Sequence, residues 1–255
     1  MSVLIFIDHV SGQIKKASLE ALSYGAALAE QTGTTAEGFL FGTVTDDLSS
    51  LGQYGITKVH QVQHENVAHF DSQVYTKVAA ELATQTGAQV LIFSNNTAGK
   101  AIAPRLSVRL KAGLVAGAVG LPDTKSGFVV KKAVFSGKAF AQVAVNTPVK
   151  IISLNVNSFQ IKNEGSQAAE VVPFNTTIEP SKLKITGTTK TSSKVALSEA
   201  ETVVSAGRGL KGPENWAMVE ELATLLGAGL ACSRPVADAH WRPHTEHVGQ
   251  TGVAI

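Results

Sequence analysis

Gly207-Arg208-Gly209-Leu210-Lys211-Gly212 follows a strand-like run and precedes a helix-like one. It fits the pattern G-x-G-x-x-G, in which glycines let the backbone approach a phosphate and a following helix N-terminus favours an anion. The same pattern also describes an ordinary tight strand-to-helix turn. Further on, where a nucleotide-binding fold of this kind would carry an acidic ribose contact, stands Ser233-Arg234. On pattern alone an arginine there suits a 2′-phosphate, hence NADP, and equally a solvated charge or an ion-pair partner. Val248-Gly249-Gln250-Thr251-Gly252 sets two hydrogen-bonding side chains between glycines, as a polar turn also does. His240, His244 and His247, with Glu246, have a spacing that could supply metal ligands, but no matching group exists elsewhere. The expectation is a polar loop, no metal and no catalytic residue. Cys232 is the single cysteine; a buried strand-end thiol is expected, rather than one activated by Arg234. Asp8-His9 follow the first strand, where α/β folds place ligands. No phosphate loop accompanies them, and Ser94-Asn95-Asn96-Thr97 reads as a helix N-cap before Ala98-Gly99-Lys100. His9, His60, His64 and His69 are scattered and read as surface positions.

The elements that would position these residues follow from periodicity. Val3 to Ile7, Ala36 to Phe41, Val59 to Val62 and Val90 to Phe93 read as strands, the first and last as fully buried parallel ones. Leu19, Leu22, Ala26 and Ala29 recur at helical spacing before Gly33. Val74, Val78 and Leu82 mark a helix ending at Gly87; Ile102, Leu106 and Leu110 mark another, which Pro104 should kink or begin. Strand and helix in alternation predict a doubly wound, mostly parallel sheet. From Gly113 the character changes: Gly127 to Val134, Ala139 to Val145 and Lys150 to Leu154 are strand-like, Asn155 to Pro180 reads as a connection, and Lys182 to Thr191 as an edge strand. Thr191-Ser192-Ser193 is a linker candidate. After it, Glu201 to Ser205 is a strand, Glu214 to Leu226 a helix with Trp216, Val219, Leu222, Ala223 and Leu226 on its apolar side, and Gly229 to Cys232 a strand. The predicted organisation is an α/β domain over 1–190 and a partial Rossmann-like unit over 195–255.

The chain has 255 residues, with 22 Lys and Arg against 20 Asp and Glu, so its net charge is +2. That balance argues against nucleic acid or an anionic membrane as a partner. Its longest uncharged apolar run, Ala112 to Leu121, is half the ~20 residues a membrane span needs. A single cysteine excludes an intrachain disulfide and suits a reducing compartment. The strand-like start is neither a signal nor a transit peptide, so a cytoplasmic location is expected. Charged residues are only 16% of the chain, compatible with a large interface.

Taken in order, Val203 to Leu210, Ser233 to Asp238 and Val248 to Gly252 closely resemble the FAD domain of the electron transfer flavoprotein alpha subunit. Lys15-Lys16-Ala17, Thr97 to Lys100, Ala103 to Leu106, Leu110 to Leu114 and the Phe135-Ser136-Gly137-Lys138-Ala139 turn also look like that family. The resemblance is patchy before Val203 and dense after it. It implies an N-terminal sheet of the adenine-nucleotide-hydrolase-like kind that contacts a partner subunit, followed by a Rossmann-like FAD-binding unit. It implies that Arg208 contacts the phosphate and ribose region, that Ser233 touches FAD, and that Arg234 sits beside the isoalloxazine ring. There a fixed guanidinium stabilises the negative charge of a reduced flavin. Gln250 and Thr251 would bond the ring edge, with Val248 and Gly249 approaching by backbone. The implied function is an FAD-dependent carrier in a heterodimer with a beta subunit. Acyl-CoA dehydrogenase-type flavoenzymes of fatty acid beta-oxidation would be donors and a quinone reductase the acceptor, with no membrane insertion of its own. An NADP-linked oxidoreductase or a nucleotide-binding scaffold module is the alternative. Three departures stand out. Ala206 replaces a common glycine, His240-Trp241-Arg242 is more basic than usual, and the family's further strands and Ser-Gly-x-x-x-His segment are not in the chain as given. FAD is therefore expected to be absent from this chain or weakly held by it.

Overall fold

A computed structural model describes residues 2–125, 127–163, 165–187, 197 and 200–253. The chain divides into two compact units, Met1–Lys184 and Ile185–Ile255. The proposed linker Thr191-Ser192-Ser193 lies outside the described residues.

Unit 1 is built on nine strands. Central β1 (Ser2–Phe6) and β6 (Val90–Ser94) are buried along their whole length, as their unbroken apolar runs require. β4 (Thr35–Phe41), β5 (Lys58–Val62) and β11 (Glu170–Pro173) extend the sheet on one side of β1. On the other side β6 is followed by β10 (Lys150–Leu154), β7 (Gly113–Ala118), β8 (Val129–Val134) and β9 (Ala139–Ala144), giving the order β11-β5-β4-β1-β6-β10-β7-β8-β9. All pairings are parallel except those of β7 with β8 and β8 with β9. A short hairpin, β2 (His9–Val10) with β3 (Gln13–Ile14), follows β1. Alternation along β1 sends Val3 and Ile5 towards α1 (Lys16–Thr32), where Leu22, Tyr24 and Leu28 close one core. Leu4 and Phe6 face the other way, towards Val78 and Leu82 of α2 (Ser72–Thr86) and Ile102 and Leu106 of α3 (Thr97–Leu110). The result is a three-layer sandwich, as the alternating pattern predicts.

The strand order reverses between β1 and β6, and there α/β folds open a crevice at the strands' carboxyl ends. Here the chain fills that place itself. The Asp8 carboxylate pairs with Lys15 Nζ at 3.0 Å and accepts Asn96 Nδ2–H at 2.9 Å. Asn96 Oδ1 in turn accepts the Gly99 N–H at 2.9 Å and caps α3. A Cβ on Gly99 would lie 1.9 Å from the Ser94 carbonyl oxygen, so α3 begins tightly against the end of β6.

Several details differ from the sequence expectations. β7 is a strand inside the run from Ala112 to Leu121, where its glycines weaken the strand pattern. The segment expected to be only a connection contributes β11 as the sheet edge, beside β5. Residues 182–187 form no strand, and the rest of that proposed edge strand lies outside the described residues. His60 is not on the surface: it is 8% exposed, because β5 is flanked by both β4 and β11, and its Nε2 lies 2.7 Å from Glu37 Oε2. α3 runs through Pro104, which sits on its exposed side, where solvent can serve the carbonyl a proline leaves unbonded.

Glu20 on α1 is 2% exposed and accepts the Asn157 N–H at 2.8 Å, with Lys16 Nζ at 3.8 Å. Burial raises its pKa, partly countered by the Asn157 hydrogen bond and by Lys16. The folded chain therefore holds this proton more tightly than the unfolded one. Its contribution to stability falls as pH rises from the ordinary glutamate value through the raised one. Glu20→Gln keeps an acceptor for Asn157 and removes the buried charge. The variant is expected to melt above wild type at neutral pH, the two converging below about pH 4. Thermal melts across pH check this, and a lower neutral-pH Tm for the variant would contradict it.

Among the described residues no helix is long and apolar enough to cross a membrane.

Candidate functional site

In unit 2, β12 (Val203–Ala206) lies parallel to β13 (Gly229–Cys232), with Ala206 opposite Cys232. A parallel bridge then joins Cys232 to His247, and the Val248 N–H donates to the Cys232 carbonyl at 3.1 Å. Three adjacent segments, the ends of β12 and β13 and the bridged His247, therefore point the same way. Gly207-Arg208 leaves the first, Ser233-Arg234 the second and Val248 to Thr251 the third. All seven residues singled out in the sequence thus stand beyond one carboxyl edge, the place where open parallel sheets take nucleotide ligands.

Each segment has a local reason for its shape. Arg208 opens a 3-10 turn (Arg208–Leu210) and is exposed. The Ser233 N–H donates to the Ala206 carbonyl at 3.1 Å, binding the second segment to the first. A Cβ on Gly207 would lie 3.4 Å from Ser233 Oγ, an ordinary contact, so the two segments sit side by side. Arg234 begins the short helix α5 (Arg234–Asp238); its side chain is 62% exposed and its Nε lies 3.4 Å from Asp238 Oδ2. In the third segment Gly249 has φ 124°, a conformation that only glycine adopts freely. The Gly252 N–H donates to the Gly249 carbonyl at 3.1 Å and the Val253 N–H to the His247 carbonyl at 2.8 Å, closing a loop. Gln250 and Thr251 stand exposed at its tip.

The glycine turn departs from the expected arrangement. Helix α4 (Ala217–Leu225) does not follow Gly212 directly; a second 3-10 turn, Pro213–Trp216, precedes it. A Cβ on Gly212 would lie 2.1 Å from Glu214 Oε1, so a carboxylate of the chain itself occupies that helical start. Next to this turn the exposed cation is Arg208. On α4, Trp216, Val219 and Ala223 are buried as expected, whereas Leu222 and Leu226 are 48% and 56% exposed. With Met218 and Leu225 they form an exposed apolar stripe, because the described residues give α4 only one layer to pack on.

The basic loop also holds something the sequence did not suggest. Arg242 bonds bidentately to Glu246, Nε to Oε2 at 2.6 Å and Nη2 to Oε1 at 2.8 Å, and through Nη1 to Glu220 on α4 at 2.5 Å. The i,i+4 spacing of Arg242 and Glu246 was the only signal in the sequence. Arg242 thus engages Glu246, and no metal-binding group of three occurs among the described residues. Cys232 is fully buried; burial first, then Glu246, pushes its thiol pKa up, so it is no activated nucleophile.

Two guanidinium groups, two hydroxyls, a side-chain amide and a glycine backbone make a donor set suited to a diphosphate and to the polar edge of a flavin. The glycine-only turn at Gly249 suits close approach by such a group. By contrast, a cavity of about 700 Å³ in unit 1, between α2, α3 and residues 177–182, is lined by charges of both signs. Two of these, Lys77 and Glu179, already pair with each other.

Comparison with known proteins gives the family. Residues 3–178 match the electron transfer flavoprotein domain and residues 196–255 the electron transfer flavoprotein FAD-binding domain. An electron transfer flavoprotein subunit alpha of Clostridium acetobutylicum is 29% identical, the alignment covering 99% of this chain and 78% of the relative. A putative electron transfer flavoprotein subunit of Escherichia coli is 32% identical over 83% of this chain and 68% of its own length. A subunit of an NAD(+),ferredoxin-linked lactate dehydrogenase of Acetobacterium woodii is 27% identical over 99% and 62%. With both domains matched in order, the chain belongs to the alpha-subunit family of electron transfer flavoproteins, which are electron carriers.

Proposed function

We propose that this chain carries electrons on FAD held at the carboxyl edge of unit 2, in a heterodimer with an electron transfer flavoprotein beta subunit. The convergence of Arg208, Ser233-Arg234 and Val248 to Thr251 beyond the ends of β12 and β13 and the parallel bridge at His247 is the observation that carries this reading. Arg208 binds the phosphate and ribose region. Ser233 and Thr251 offer hydroxyls that donate or accept, and Gln250 an amide that does both. Val248 and Gly249 approach by backbone, which the Gly249 conformation permits. Arg234 holds its positive charge beside the ring, where it favours the electron-rich state. FAD, when bound, supplies the redox chemistry, and the protein orients it and tunes its potential.

Within this reading residues 1–190 serve the partner-subunit contact and 195–255 the flavin. Acyl-CoA dehydrogenase-type flavoenzymes of beta-oxidation are the donors and a quinone reductase the acceptor, in the cytoplasm. The name of the Acetobacterium relative points to lactate oxidation as a second source of electrons.

The test is a visible absorption spectrum of the full chain, alone and co-expressed with a beta subunit, with FAD added and the excess removed. Flavin bands retained by the heterodimer are expected. Their absence from both samples after FAD addition would overturn the proposal.

A further inference from the structure

The loop between α5 and the Val248 turn carries one charge in three bonds. The Arg242 side chain is 20% exposed and that of Glu246 17%, so the pair is largely withdrawn from water. The guanidinium carbon lies 5.4 Å from the centroid of the Trp216 ring, itself 2% exposed, which gives Arg242 an aromatic floor. Hydrogen bonding, first to Glu246, outweighs burial and holds the guanidinium in its charged form. Of its two partners, Glu220 belongs to α4, the helix that follows the Arg208 turn. Glu246 immediately precedes His247, whose carbonyl accepts Val253 N–H and whose successor Val248 is tied to Cys232. Arg242 therefore joins both flanks of the candidate site. Besides it, the turn is held by the Val248 bond to β13 and by the buried His247.

We infer that Arg242 is a positioning residue: by clamping Glu246 against α4 and Trp216 it sets where Gln250 and Thr251 stand relative to Arg208. The inference rests on the flavin reading of those three residues. It explains the choice of arginine, since only a planar fork can bond one carboxylate twice, a second carboxylate once, and lie over an indole. The basic loop then acts from outside the flavin's reach, through the backbone of Glu246 and His247.

The experiment compares wild type, Arg242→Lys and Glu220→Gln as full chains. Lysine keeps the charge and a flexible stem but loses the fork, so unit 2 is expected to stay folded. Backbone hydrogen exchange, read without flavin, should show the Val248 and Val253 amides opening about tenfold faster in Arg242→Lys, while β12 and β13 keep their protection. Glu220→Gln should shift the same amides in the same direction by less. With the partner subunit and FAD present, Arg242→Lys should bind FAD about tenfold more weakly and shift the midpoint potential of the flavin that remains bound. Unchanged exchange at Val248 and Val253 would overturn the inference. So would faster exchange with unchanged affinity and potential, since the clamp would then be structural only. If wild type retains no FAD, the functional proposal fails on its own, and the exchange comparison still decides whether Arg242 positions the turn.

Discussion

Gly252→Ala is expected to strip the third segment of its shape and to release FAD, while unit 1 melts as before. The added Cβ would sit 2.3 Å from the His247 carbonyl oxygen and 2.9 Å from His247 Cγ. Ordinary contact begins near 3.4 Å, so backbone or a buried ring must move by roughly 1 Å in a packed region. His247 is only 8% exposed and its carbonyl is engaged by Val253, so neither yields cheaply. Overpacking of this kind costs about 1–3 kcal/mol, and the chain can escape by letting 248–253 come free. The expected readouts are loss of exchange protection at Val253, a fall in FAD affinity of at least about tenfold, and an unchanged melt of unit 1. A variant that binds FAD as wild type does would show that the turn plays no part in holding it.

Gly99→Ala should produce a large loss of stability in unit 1. Its Cβ would lie 1.9 Å from the Ser94 carbonyl oxygen, with Phe93 Cβ at 3.3 Å. The first turn of α3 would have to lift away from β6, breaking the Asn96 cap at Gly99 and pulling Asn96 from Asp8. Lost cap, lost packing and strain together amount to about 3 kcal/mol, or a Tm drop of roughly 10 °C for a unit of this size. Gly33→Ala is the control. Gly33, at the end of α1, has φ 65°, and nothing lies within 4 Å of its added Cβ. Only the conformational penalty of about 1 kcal/mol is expected there. Equal losses from the two variants, measured by thermal or denaturant unfolding, would refute the close-approach explanation.

What the sequence conveyed depended on how local its cause was. β1 and β6 were legible because a strand buried on both faces needs consecutive apolar residues. β7 is only partly buried, its Gly-Leu-Val-Ala-Gly-Ala carries too little side chain to signal a strand, and its neighbours β10 and β8 decide the matter. β11 is four residues ending in Pro173; only the open edge of β5 makes it a strand. Leu222 and Leu226 follow helical periodicity faithfully, but periodicity names a face without saying what covers it. The candidate site was legible as three ordered segments. Their meeting was not, because it comes from parallel pairing of β12, β13 and His247, which lie far apart in the chain. Arg242 was half legible: Glu246 stands four residues away, whereas Glu220 is 22 residues distant and reaches it only through the fold.

The Asp8 arrangement at the reversal of strand order has a consequence for ligand competition in unit 1. A carboxylate tethered beside the start of α3, with Lys15 as its counter-ion and Asn96 as its donor, acts as a permanently attached ligand. A free nucleotide would have to displace that internal anion, sacrifice its ion pair and bring a second negative group into the same space. At the start of α3 the place of a ligand's anion is thus already taken by a carboxylate of the chain itself.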